Sequence, residues 1–185
     1  LLLGPRLDSR VRMSERRDTG CKDAHPVVLV LGRGNPLRGD DGVGPRIIEE
    51  LQDRELPEAV QTLDGGTGGL DLFHVMEGWN RIIIIDAAEL KGAKQLARGQ
   101  PVPGQFVRFT PDQVHVVETA EQFSFHHAGL AEVLALARAL DRPLPPIVVF
   151  GVQPGDTGWG QGLSPEVEAR LPALIDAILE EIEQQ

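Results

Sequence analysis

The chain has 185 residues, 41% of them hydrophobic, which is the size of one domain with enough apolar material for a single core. With 28 acidic against 18 basic residues its formal net charge is -10, and this excludes the broad basic face that nucleic-acid binding requires. A single cysteine, Cys21, excludes a disulfide framework or a cysteine-based metal motif, and no apolar run approaches the roughly 20 residues of a membrane-spanning helix. A cytoplasmic, monomeric protein with no nucleic-acid or membrane partner is expected. No apolar core of a signal peptide is evident. Residues 1–12 precede the first methionine, Met13, and residues 1–25 are expected to be a disordered leader to a single domain over 26–185.

Residues 27–31 (Val-Val-Leu-Val-Leu) read as a strand buried on both faces, followed by the turn Gly-Arg-Gly-Asn-Pro. Val43, Ile47, Ile48 and Leu51 then follow helical spacing, with Asp40 or Asp41 suited to cap the helix start. A second strand is predicted over 59–63, and the Gly-rich turn 64–69 opens a helix through Leu70, Phe73 and Met76. The run Arg81-Ile-Ile-Ile-Ile-Asp86 is the strongest strand signal and suits a central parallel strand ending at Asp86. An edge strand over 105–109, a long connection over 110–125, an amphipathic helix from Gly129, a strand over 147–152 and a helix begun by Ser164-Pro165 complete the chain. About five strands alternating with helices predict an α/β fold: a three-layer α/β/α sandwich around a mostly parallel sheet. Ligands in such sheets bind outside the carboxyl ends of the strands, which selects the loop after Leu31, the Gly-rich turn after Leu63 and Asp86.

Gly32 and Gly34 match the first two glycines of a dinucleotide fingerprint, but the third position is Leu37 and no acidic residue closes the next strand. No cofactor-binding motif follows from this loop, and no phosphate-binding Gly-Lys-Ser/Thr is present. Asp41 has an ordinary reading as a helix-start acid, but two adjacent carboxylates repel, and the pair is easier to accommodate if one faces a cation. Asp86, after four isoleucines, sits at the rim of a low-dielectric core and needs a partner there. His126 and His127 precede a helix, where a histidine is ordinarily a cap or a solvated residue; neighbouring histidines in a loop point different ways, so if one is a ligand the other has a structural role. Two carboxylates and an imidazole form a mixed oxygen and nitrogen set suited to zinc, nickel, iron or manganese. Cys21, Ser124 and Ser164 lack the context of a nucleophile; His25, His74 and His115 show no partner by spacing and are expected at or near the surface; Trp159 reads as a loop anchor in preference to a recognition residue.

The residues Leu31-Gly-Arg-Gly-Asn-Pro-Leu-Arg-Gly-Asp-Asp-Gly-Val-Gly44 resemble the opening of the hydrogenase maturation endopeptidases, G-x-G-N-x-L-x-x-D-D/E-G-x-G. Asp64-Gly-Gly-Thr, the Ile-rich strand with Asp86-Ala, Ser124-Phe-His-His-Ala-Gly-Leu-Ala-Glu-Val-Leu134, Gly151-Val-Gln-Pro and Leu163-Ser-Pro-Glu-Val-Glu168 resemble that family's later blocks in order. The resemblance implies that Asp41, Asp86 and His126 are the metal-binding and catalytic set. It implies an endopeptidase that removes a carboxy-terminal extension from a nickel-loaded [NiFe]-hydrogenase large-subunit precursor. The nickel would arrive on the substrate, zinc or cadmium could take its place in vitro, and a metal-polarised carbonyl or metal-activated water would do the hydrolysis. The alternatives are an autonomous metallopeptidase or amidase with its own metal, and a non-catalytic nickel-binding chaperone.

Overall fold

A computed structural model of the chain describes residues 28–69, 71–90, 100–113, 124–125 and 129–184. The predicted leader, His25, His115, His126 and His127 lie outside the described residues. Among those described, the strands are β1 (Val28–Arg33), β2 (Val60–Gly66), β3 (Arg81–Glu89), β4 (Phe106–Phe109), β5 (Ser124–Phe125) and β6 (Ile147–Val152). The helices are α1 (Val43–Gln52), α2 (Leu72–Met76), α3 (Gly129–Ala139), α4 (Pro165–Glu168) and α5 (Leu171–Glu183), and a 3-10 turn, Gly39–Gly42, leads into α1.

The sheet runs β2-β1-β3-β6-β4, with β5 paired to the far end of β3. The pairs β1–β2, β1–β3 and β3–β6 are parallel, while β4–β6 and β3–β5 are antiparallel. Every residue of β1 and β6 is buried, as their unbroken apolar runs predict for strands covered on both faces. Alternation divides these strands between two cores. Val30, Ile83, Ile85 and Val148 pack under α1, α4 and α5, whereas Leu31, Ile82, Ile84 and Val149 pack under α2 and α3. Each fully buried isoleucine of β3 contributes roughly 1.5–3 kcal/mol by leaving water. The result is the predicted three-layer α/β/α sandwich.

The differences from expectation have local causes. β3 does not stop at Asp86, because β6 goes on pairing through Ala87 and β5 takes over at Ala88 and Glu89. β2 runs on into its Gly-Gly turn to Gly66, in register with Arg33 of β1. The single closing helix is divided into α4 and α5, since Pro172 in the first turn of α5 has no N–H to continue the α4 ladder.

Candidate functional site

β1 has β2 on one side and β3 on the other, so the chain leaves β1 in one direction and returns in the opposite one. The crevice at the carboxyl ends of β1 and β3 is therefore the switch point at which sheets of this kind bind ligands. The last β1–β3 pair is Gly32 with Ile85, which puts Asp86 one residue beyond it, at the floor of that crevice. Across β6 its partner is Gly151, where a Cβ would be crowded by the side chains of Phe109, Ala88 and Leu90.

The loop after β1 is folded tightly over the same place. A Cβ at Gly44 would lie 2.2 Å from the Arg33 carbonyl oxygen and 2.8 Å from that of Ile85, so α1 starts directly on the ends of β1 and β3. Gly34 (φ 129°) lets the chain double back until a Cβ there would meet the Asp41 carbonyl oxygen at 1.7 Å. The 3-10 turn thereby packs against β3. Asp41 is 3% and Asp86 4% exposed. Asp41 Oδ2 accepts the Asn35 N–H at 2.9 Å, which orients the carboxylate within its own loop.

Neither aspartate at the helix start caps α1: its N-cap, Gly42, has no side-chain bond. Asp40 instead turns to the loop before α4, accepting the N–H groups of Gly155 (2.7 Å), Asp156 (3.0 Å) and Ser164 (2.6 Å) and the Ser164 hydroxyl (2.9 Å). Burial raises the pKa of Asp40, but these donors together outweigh it and leave the group below its ordinary 3.8. The repulsion between adjacent carboxylates is thus resolved by sending them to different partners.

The partner that Asp86 needed is Arg33. Its Nη1 donates to Asp86 Oδ2 at 3.1 Å, with the two side chains 2% and 6% exposed. Sequence reading missed this residue, although an arginine between the glycines that end an apolar strand was its signal. Trp159 corrects another expectation: it is 80% exposed rather than an anchor, and its ring carries the Arg38 guanidinium at 5.6 Å. His74 is on the surface of α2, where its Nδ1 lies 3.6 Å from a Glu77 carboxylate oxygen, an acidic neighbour that the sequence reading did not give it.

Among the described residues no three His, Cys, Asp or Glu side chains form a metal-sized group. Asp41 and Asp86 are brought to one crevice by adjacent elements and fit a metal as hard oxygen donors. The third predicted ligand, His126, lies outside the described residues, but β5 ends at the residue before it, with Phe125 paired to Ala88, two residues past Asp86. A cleft of about 500 Å³ lined by Leu134, Arg138, Arg142, Pro145 and Ile147 lies at the opposite, amino ends of the strands and holds none of these groups.

The hydrogenase maturation protease family, HycI, matches residues 45–181. The chain is 38% identical over 154 residues to the hydrogenase expression/formation protein HupD of Bradyrhizobium diazoefficiens, covering 80% of this chain and 74% of that protein. It is 34% identical over 157 residues to the hydrogenase 2 maturation protease of Escherichia coli K12, covering 82% and 88%. Its fold superposes on the E. coli hydrogenase maturating endopeptidase HybD with a TM-score of 0.70 at 33% identity, covering 85% and 93%. The [NiFe] hydrogenase maturation protease HybD of Thermococcus kodakarensis gives 0.64 at 28% identity, covering 84% and 99%. Together with the ordered motif blocks and the crevice they build, these likenesses make the chain a member of the hydrogenase maturation protease family, and a hydrolase.

Proposed function

We propose that the chain is the endopeptidase that removes the carboxy-terminal extension of a [NiFe]-hydrogenase large-subunit precursor after nickel insertion, and that Asp41, Asp86 and His126 receive that nickel. The observation that carries this reading is the burial of two carboxylates on elements that pack together at the carboxyl ends of β1 and β3: Asp86 one residue past the last β1–β3 pair, and Asp41 in the 3-10 turn against β3. Two carboxylates and an imidazole suit nickel or zinc and leave coordination positions for substrate atoms. The metal supplies Lewis acidity to the scissile carbonyl. The protein's own part is to hold the two carboxylates rigidly: Asp41 through the Asn35 N–H, Asp86 on a central strand. No Ser, Cys or Thr nucleophile enters this reading.

The pairing of Asp86 with Arg33 supports a metal that arrives with the substrate over one held at rest, because the carboxylate already has a counter-charge. The test is incubation with the cognate precursor, with and without nickel, read by mass spectrometry. Loss of a carboxy-terminal segment from the nickel-loaded form alone is expected; an unshortened precursor would refute the reading. Asp41→Asn and His126→Ala should each lower cleavage by about a hundredfold or more while the fold persists; Asp86→Asn should lower it as far and also destabilise the fold, because it leaves Arg33 buried without its counter-charge.

A further inference from the structure

Arg33 is 1% exposed, yet its hydrogen bonding is incomplete. Nη1 reaches Asp86, Nη2 reaches the Gly68 carbonyl only at 3.4 Å, and Nε has no partner among the described residues. A guanidinium so placed is costly, and by alternation along β1 its position continues the apolar pair Leu29 and Leu31, where an aliphatic side chain would pack without that cost. What the positive charge does supply is neutralisation of Asp86, on the strand against which the turn carrying the buried Asp41 packs. Without it, two buried carboxylates would present a strong field to any divalent cation that entered.

The geometry points to Arg33 as a built-in counter-cation that stands where a metal's charge would act on Asp86, so that the site discriminates against free metal ions and accepts one presented by the precursor. This rests on the reading of Asp86 as a metal ligand. A free ion must compete with Arg33 using the site's few donors alone. A metal carried by a folded protein partner brings the contacts of that partner to the same competition. Arg33 is in this sense a positioning residue, acting through Asp86 rather than on the substrate.

The test is calorimetric titration of the full chain with cadmium chloride, without precursor. Arg33→Gln should bind cadmium about tenfold or more tightly than the unaltered protein, since removing a neighbouring positive charge favours a cation. Arg33→Lys, which keeps the charge, should stay within about threefold of it. A purely structural role would weaken metal binding in both variants, and that result, or equal affinity in Arg33→Gln, overturns the inference. If Arg33→Gln does not fold, Arg33→Met, which keeps the side-chain length without the charge, decides in the same titration: tighter cadmium binding than in the unaltered protein is expected, and equal or weaker binding overturns the inference. Precursor cleavage is scored separately. Tighter cadmium binding by Arg33→Gln with an uncut precursor would refute the proteolytic reading alone, and cleavage with unchanged cadmium affinity would refute this inference alone.

Discussion

Ser164 donates both its backbone N–H, at 2.6 Å, and its hydroxyl, at 2.9 Å, to the carboxylate of Asp40, 124 residues earlier in the chain. With the N–H groups of Gly155 and Asp156 on the same carboxylate, Asp40 ties the loop before α4 to the turn that carries Asp41. Asp40→Asn would set an amide N–H₂ against N–H donors on one oxygen, and should cost roughly 2–3 kcal/mol at neutral pH in urea denaturation.

The same carboxylate sets an acid limit. Its folded pKa lies below the ordinary 3.8, so its contribution to stability is complete above 3.8 and is lost as the pH falls from there through the lower folded value. Stability measured across the acid range should therefore fall less steeply in Asp40→Asn than in the unaltered protein. Parallel curves would show that Asp40 does not govern this limb.

Gly44→Ala places a Cβ 2.2 Å from the Arg33 carbonyl oxygen, a backbone atom that cannot step aside without moving the end of β1. Destabilisation of about 3 kcal/mol or more is expected, together with loss of cleavage, because α1 and the turn holding Asp41 shift as a unit. A variant with unaltered melting temperature and full activity would show that α1 is not seated by this contact.

Glu181 of α5 is 2% exposed and takes Arg108 in a fork, with Nε at 2.7 Å and Nη2 at 3.0 Å, while Arg81 at the start of β3 completes the group. Arg81 Nη1 also donates to the Glu181 and Gln184 carbonyls at the end of α5, satisfying helix-end acceptors. Glu181→Ala should lose about 2–3 kcal/mol, discounted from the cost of breaking a fully buried pair because both arginines reach solvent. Cadmium affinity should be unchanged, since Glu181 is held beside Arg81 at the amino end of β3, whereas Asp86 lies toward the carboxyl end of that strand. Altered affinity would mean that the two ends are coupled.

Trp159→Ala should change stability by no more than about 0.5–1 kcal/mol, the value of an exposed cation–π contact with Arg38. Iodide should quench Trp159 fluorescence strongly in the unaltered chain, using Trp159→Ala to isolate the half-buried Trp79. A shielded Trp159 would contradict its 80% exposure.

Much of the fold is legible in local pattern. The four isoleucines of β3 and the apolar runs of β1 and β6 announce strands with both faces covered, and the 3.6-residue spacing of Ile47, Ile48 and Leu51 announces α1. Helix-start chemistry was legible only in part. Asp40, Asp41 and Ser164 are all residue types that cap helices, but none forms a side-chain cap at α1 or α4, because each found a partner elsewhere. β5 escaped notice because a two-residue strand has no period to detect.

The sequence by itself determined the family, the layered α/β architecture and the choice of Asp41, Asp86 and His126 as candidate ligands, because hydrophobic period and ordered motif blocks are written along the chain. Only the tertiary structure decided what neutralises Asp86 and where Asp40 points. Arg33 and Asp86 are 53 residues apart and meet only because β1 lies beside β3 with Gly32 in register with Ile85. Charge pairing acts through space, and a slip of one residue in that register would turn the two side chains to opposite faces of the sheet.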